Sequence, residues 1–396
     1  MLKNIMLFMI SCFCIAANAQ VISGDDPKSI TYSNYKFNYI GAFRIPADTF
    51  GDSRVTYSQG VFTLKDDGKS FFIVGHKQHQ AIAEFSIPEL SNDTKNIEDL
   101  AFANNLQKFS KILKIDKLKQ YPKLDTITGM DYISGRLVIN VMEYYDANRD
   151  NNHTTIILNT PSQLSNATIS GPFSLTGGAH LSGWISPLPK SISASSQYNY
   201  LFGNASNLPI NGRLSIGPSL FFVKVTPEQS AFSTKSIMDF SLDSPLHEDS
   251  YNKSMTNNVW TEVSQAAYGF IPQNSDSYFV FGFSGGHNSK IGYKITQDNN
   301  HKCPGPCPYA ANDFYNYLWV WDVNKLLNSP QSKKNVTYGK INLPFSNNIN
   351  DSLIIGADYH QEKSLLYILL KSPDTLQKPF EKAPLMLVYR LSDHNA

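Results

Sequence analysis

Three histidines follow small residues at the ends of apolar runs: Gly75-His76, Gly178-Ala179-His180 and Gly285-Gly286-His287. Imidazole titrates near neutral pH, so such groups brought to one rim can act as a general base or bind a metal. Glycine ahead of the histidine allows a tight turn or a close backbone approach to a ligand. A second set of reactive types lies within residues 198–213, which carry Tyr198, Tyr200 and Arg213. An arginine beside a uronate carboxylate neutralises it and makes the α-proton more acidic. A histidine or tyrosine can then remove that proton and protonate the leaving oxygen. For this elimination the candidate catalytic groups are His180, Tyr198 and Arg213, with His76, His287 and Tyr200 as candidate substrate-binding groups. The same residues also admit a plainer reading, as unrelated loop histidines and an arginine paired to an aspartate between structural units.

Other chemistries are less well supplied. His76 and His79 have a spacing that could chelate zinc, but no acidic third ligand lies close in sequence. The Asn- and Asp-rich loop from Asp146 to His153 has oxygen ligands for calcium without the strict spacing of a calcium-binding hand, and turn chemistry explains its composition equally well. No metal ligand set is assigned and no cofactor is required, with structural calcium or zinc left open. Glycoside hydrolysis needs two positioned carboxylates. Asp131, Glu143, Asp146, Glu262 and Asp358 are available, but sequence does not pair them. Asp131 and Asp358 occupy a repeated Gly-x-Asp-Tyr pattern, which reads as architectural, for instance as caps binding backbone amides. There is no Gly-x-Ser-x-Gly elbow, phosphate loop or dinucleotide fingerprint.

The elements that must position these groups are strands. Of 396 residues, 41% are hydrophobic and 17% charged, enough apolar material for a large core and against wholesale disorder. The 34 Lys and Arg against 33 Asp and Glu leave a net charge of +1, unlike a chain built to neutralise nucleic-acid phosphates. Aromatic and β-branched runs alternate with clusters of Gly, Pro, Asn, Asp and Ser. The clearest unit has strands at Val61-Phe62-Thr63-Leu64, Phe71-Phe72-Ile73-Val74 and residues 81–87, with a tight Asp66-Asp67-Gly68 turn. Related units begin near Gly129, Gly183, Gly269 and Gly356. Runs at Leu220, Leu318 and Leu385 are expected to close their units, and residues 108–118 to form a short helix. The expected fold is all-β: a single β-propeller of five to seven blades, each a three- or four-stranded antiparallel sheet. The strand at residues 39–44 can pair with the C-terminal strand and close the ring, which removes exposed sheet edges. A β-sandwich is the alternative.

Lys3, an apolar run from Ile5 to Ile15 and Ala17-Asn18-Ala19 have the layout of a secretory signal peptide. Residues 1–19 are therefore expected to be removed, leaving the propeller domain at 20–396, in a secreted or periplasmic protein. The run is too short to span a bilayer and no later one is long enough, so neither a membrane nor nucleic acid is an expected partner. A monomer is expected. Cys303 and Cys307 flank Pro304-Gly305-Pro306 with no second cysteine pair to complete a zinc site. They read as a local disulfide.

The segments Tyr39-Ile40-Gly41-Ala42-Phe43-Arg44-Ile45-Pro46, Ser70-Phe71-Phe72-Ile73-Val74-Gly75-His76, Ala83-Glu84-Phe85-Ser86-Ile87-Pro88 and Gly217-Pro218-Ser219-Leu220-Phe221 resemble a group of secreted bacterial β-propeller proteins. That resemblance samples the first half of the chain and implies the fold, not an activity. The Tyr198-to-Arg213 spacing is more loosely similar to that of propeller-fold ulvan lyases, whose chemistry uses His, Tyr and Arg. Asp66-x-Gly68-x-Ser70-Phe71 looks like a fragment of the sialidase Asp-box, but Leu64 stands where its leading Ser would be. The functional expectation is a carbohydrate-directed propeller that takes a polysaccharide or glycan, as a lyase on uronate-containing chains. The alternative is a non-catalytic extracellular binding or scaffold propeller.

Overall fold

The computed structural model describes Ile22 and residues 26–121, 123–205, 213–228, 231–289, 291–293, 309–346 and 348–393. The expected cleavage site after Ala19, and Cys303 with Cys307, lie outside the described residues.

The fold begins with an antiparallel pair, β1 (Ser29–Tyr32) and β2 (Tyr35–Arg44). Four antiparallel sheets follow in chain order. The first is β3 (Phe62–Leu64), β4 (Ser70–Val74), β5 (Ile82–Ser86) and β6 (Asn105–Ser110). The second is β7 (Thr126–Ile133), β8 (Arg136–Met142), β9 (His153–Leu158) and β10 (Ile169–Ser174). The third is β11 (Ile185–Pro187), β12 (Tyr200–Phe202), β13 (Leu220–Thr226) and β14 (Ala231–Met238). The fourth opens with β15 (Gln265–Phe270) and β16 (Ser277–Gly285). A small hairpin of β17 (Gly292–Tyr293) and β18 (Tyr309–Ala310) precedes its last two strands, β19 (Phe314–Asp322) and β20 (Thr337–Lys340). The chain then forms β21 (Ile354–His360), β22 (Leu365–Asp374) and β23 (Ala383–Asp393). This fifth sheet is completed by β2, paired antiparallel to β23 along Tyr35–Arg44.

The result is a five-bladed β-propeller. The innermost strands pack in a ring, β3 between β21 and β7, and β15 between β11 and β21. Short Asp-Gly turns make this possible in the first blade. Gly68 has φ +61, and the Asp67 carboxylate accepts the Lys69 N–H at 2.9 Å. The five inner strands come so close that glycine is required where they meet. A Cβ on Gly356 would strike the carbonyl oxygen of Gly60, and one on Gly129 the carbonyl of Gly183. Four of the glycines that mark unit starts or their approach, Gly60, Gly129, Gly183 and Gly356, therefore let neighbouring inner strands meet, whereas Gly269 makes room for Tyr278 of its own blade.

Outside the axis the blades interlock through aromatic rings. Phe37 of β2 meets Phe279 and Phe281 of β16 edge-on at 5.4 and 5.6 Å, and Phe270 stacks on Tyr359 at 4.2 Å. The closing strand also has a polar lock. Arg44 holds Asp374 in a two-pronged ion pair at 2.8 and 3.2 Å, with both side chains buried.

Two expectations need correction. Residues 108–118 are the end of β6 followed by two 3-10 turns, because the apolar positions Phe109, Ile112 and Leu118 face the core without a helical period. The runs at Leu220, Leu318 and Leu385 are third strands, each covered by an outer strand: β14, β20 and β2. Those outer strands carry fewer buried residues, so their hydrophobic signal is weaker.

Removing one partner of a buried ion pair leaves the other charge unpaired. Asp374→Ala is expected to lower the unfolding free energy by about 3–5 kcal/mol, read from denaturant unfolding. A loss below about 1 kcal/mol would show that the lock contributes little to holding β2 in the ring.

Candidate functional site

Each inner strand starts on one face of the ring, here the upper face, and ends on the lower. Loops joining second to third strands, and outer strands to the next inner strand, also lie on the upper face. His76, His180, Arg213 and His287 therefore share the upper face, whereas Tyr198 and Tyr200 stand at the lower end of β12. Arg213 and Tyr198 do not meet, since β12 carries the chain from one face to the other between them.

Arg213 is 4% exposed. Its Nη1 donates to the Glu143 carbonyl at 3.5 Å, its guanidinium stands 6.0 Å from the Tyr144 ring, and among the described residues its Nε has no acceptor. Burial pulls its pKa down, against the nearby Asp146. Among the described residues no carboxylate lies within ion-pair distance of it. His180 is on the adjoining loop. Ala179 and Leu214, the chain neighbours of His180 and Arg213, pack together with Met142. The His180 Nδ1 lies 3.2 Å from Asp239, and that hydrogen bond holds the Asp239 carboxyl below its usual range. His287 is buried, with Nε2 2.8 Å from the Ser284 hydroxyl and its ring stacked on Tyr315. Desolvation lowers its pKa to about 4, so it is a neutral packing group.

In the loop read for calcium, Glu143, Asp146 and Asp150 bring carboxylate oxygens within 4.8 Å of one another. Both Asp146 oxygens already accept backbone N–H groups, from Asp150 and Asn151. Turn chemistry accounts for that arrangement.

The axis itself holds a narrow cavity of about 120 Å³, with Gln59, Thr126, Thr128, Asn204 and Gln265 among its lining groups. Above it, between the first and fifth blades, a wider cavity of about 490 Å³ opens beside Gln59 and Gln265. Lys77, Lys371 and Lys382 line it, with Tyr57 and Phe380 on its walls. Tyr57 is 54% and Phe380 92% exposed. Lys382 is paired to Asp351 at 2.6 Å, but among the described residues neither Lys77 nor Lys371 has a carboxylate partner. Three lysines against one aspartate leave the cavity cationic. Tyr57 has φ +61, an unfavourable backbone for an aromatic residue, held by the Lys77 N–H donating to its carbonyl at 3.1 Å.

Beside this cavity His76 stacks on His79 at 4.7 Å and lies 5.3 Å from the Tyr57 ring. The Gln78 N–H donates to His76 Nδ1, which places the neutral proton on Nε2. His79 Nδ1 is 3.0 Å from the Ser53 hydroxyl. Burial lowers both pKa values, helped for His76 by His79 and Arg54 and for His79 by Lys111 and Arg54. Both rings are therefore neutral at pH 7. Sequence reasoning found His76 but missed the lysines. The signal was present as Lys77 next to His76 and as the run Lys378-Pro379-Phe380-Glu381-Lys382, with an aromatic set among charges.

The lower mouth is built on the repeated Gly-x-Asp-Tyr pattern. Asp358 accepts the Leu64 N–H at 2.7 Å and the Tyr268 hydroxyl at 2.9 Å, tying the fifth blade to the first and fourth. Asp131 accepts the Thr63 hydroxyl at 3.3 Å. Desolvation, and then the adjacent Asp358 carboxylate, push the Asp131 pKa well above the carboxylate range. Asp358, with more donors, is raised by burial alone.

No protein-family model matches the chain, and no curated protein matches it. Solved structures align with it at low identity and low TM-score. A glycosyl hydrolase from Bacteroides ovatus is 10% identical over 94% of this chain and 92% of its own, with a TM-score of 0.43. A proposed glycoside hydrolase from Parabacteroides distasonis is 10% identical over 94% of both chains, at 0.36. The β-propeller domain of Cps50 (Swd1) from Myceliophteria thermophila is 7% identical over 87% and 99%, at 0.28.

The Asp131 carboxyl makes a signed prediction. Its folded pKa lies above its unfolded value, so its contribution to stability is complete below the unfolded pKa and is lost as pH rises through the folded one. The slope is at most about 1.4 kcal/mol per pH unit. Asp131→Asn, which cannot ionise, is expected to flatten the fall of Tm between pH 5 and pH 9 (roughly the window over which a raised carboxyl titrates). Parallel curves for wild type and variant would show that this carboxyl is not perturbed by folding.

Proposed function

We propose that this protein is an exported, carbohydrate-directed propeller whose upper cavity takes acidic polysaccharide. The observation that carries the reading is the cavity of about 490 Å³ where, among the described residues, Lys77 and Lys371 have no carboxylate partner and stand beside two exposed aromatic rings. Ammonium groups attract uronate carboxylates, and the faces of Tyr57 and Phe380 match the apolar faces of sugar rings. Export rests on the signal-like N-terminus.

The reaction this set suits is β-elimination. A lysine beside the carboxylate offsets the charge that builds up as the α-proton leaves. His79, kept neutral and fixed through Nδ1, takes that proton on Nε2. The bond from the β-carbon to the glycosidic oxygen breaks, a carbon–carbon double bond forms, and the Tyr57 hydroxyl supplies the proton to the leaving oxygen. This assignment keeps the chemistry expected of His180, Tyr198 and Arg213 but moves it to Tyr57 and the lysines that line the upper cavity, with His79 outside that lining and stacked on His76.

The test incubates the protein with polygalacturonate, alginate, ulvan and a glycosaminoglycan, and follows both binding and the ultraviolet absorbance of the unsaturated uronate. Wild type is expected to bind at least one, with affinity that falls as salt rises. Lys371→Ala is expected to weaken binding by about 2–5-fold, the range of an exposed ion pair. His79→Gln is expected to abolish product while binding persists. Because the His79 pKa is lowered by burial, the acid limb of the rate profile should lie below the ordinary imidazole range. Binding without product across the panel would favour the non-catalytic binding propeller. Absence of binding to every polyanion would overturn the reading.

A further inference from the structure

The lower mouth opens into a second cavity, of about 750 Å³, larger than the upper one and within the usual size of a ligand pocket. Its floor is made by the ends of inner strands, among them Leu64, Asp131 and Pro187. Asp131, Tyr132, Tyr200, Gln273, Asn274 and Gln361 line it. The side-chain carbonyl of Gln361 is buried without a donor, while its amide nitrogen donates to the Ile271 carbonyl at 2.7 Å. Asn274 stands at the rim with φ +56.

The charge here differs from that above. Lys65 and Lys190 face Asp66 and Glu362, and Lys65 is already engaged by Glu84 at 3.3 Å. His360 has its Nε2 against the Asp66 carbonyl. The walls thus offer two aromatic side chains, three amides and the Asp131 carboxyl with its neighbour Asp358, and the two lysines are outnumbered by Asp66, Asp131 and Glu362. Amides both donate and accept hydrogen bonds and the Asp131 carboxyl accepts them, as partners for sugar hydroxyls. A polyanion finds no excess of cations here, and a phosphate finds no arginine.

We propose that the lower mouth is a second carbohydrate site, which binds uncharged glycan chains between Tyr132 and Tyr200 with Asp131 and the amides on the hydroxyls. It does not rest on the reading of the upper cavity. The two faces would then hold different parts of one mixed polysaccharide, or two chains at once.

Native gel electrophoresis in gels containing galactomannan, xyloglucan, arabinoxylan or soluble starch tests this on the full chain. Retardation by at least one is expected, unchanged by added salt and unchanged in Lys371→Ala. Tyr200→Ala should weaken it by about tenfold, the upper range for a lost aromatic contact. Asp131→Asn keeps an acceptor oxygen and should retain binding. Gln273→Ala, on a partly exposed side chain, serves if Tyr200→Ala does not reach the wild-type Tm, and should also weaken retardation. No retardation by any of the four polysaccharides would overturn the proposal, as would retardation that survives both Tyr200→Ala and Gln273→Ala or disappears in Lys371→Ala.

Discussion

Five strands can share one axis only if their backbones approach more closely than side chains allow. In this protein that approach is made at Gly60 against Gly356 and at Gly129 against Gly183. The rest of the ring follows from it. With the axis nearly filled, the remaining cavity of about 120 Å³ leaves little room for a ligand to pass through. Binding is pushed outward to the two mouths, where loops and strand ends set the chemistry. The aromatic layer between blades then fills the wedge that opens with distance from the axis, which is why so much Phe and Tyr is buried.

The two mouths are built by different parts of each blade, and so they differ in charge and rigidity. Above, the side chains come from loops, where lysines and exposed rings cost little stability. Below, they come from inner-strand ends, the start of β12 and the turns after β15 and β21, and Asp358 spends its hydrogen bonds on neighbouring blades. Its partner Asp131 is left against the cavity in a poorly solvated setting. One carboxyl thus acts as a structural tie while the other, repeated in sequence and equivalent in place, is free to meet a ligand.

Much of the architecture was legible because it depends on local pattern. Gly-x-Asp-Tyr followed by a turn and an apolar run marked β7 and β21, and residues 39–44 were readable as the strand that meets the C-terminus. The outer strands were less visible, since β14 and β20 are partly solvated and lose the apolar run that betrays a buried strand. The candidate site was harder for a geometric reason. Tyr198 and Arg213 are near in sequence, but β12 carries the chain between opposite faces. Lys77, Lys371 and Lys382 are far apart in sequence and come together only because the first and fifth blades are neighbours once the ring is shut. Equivalent loops did bring His76 and His287 to the same face. Their surroundings then made one a partly exposed ring beside a cavity and the other a buried one.

The pairing of β2 with β23 also orders events in time. β2 is among the first structured segments of the chain, yet β23 is made last, so until then β2 is paired only with β1 and its other edge stays open. Contacts between such distant segments form slowly, because the whole intervening chain must be gathered first. A circular permutant that places β1 and β2 directly after β23 would turn the longest-range contact into a local one. It would move the chain ends to the opening before β3 and keep every blade. In that form the pairing of β2 with β23 would be local, and ring closure would rest on bringing β3 against β21.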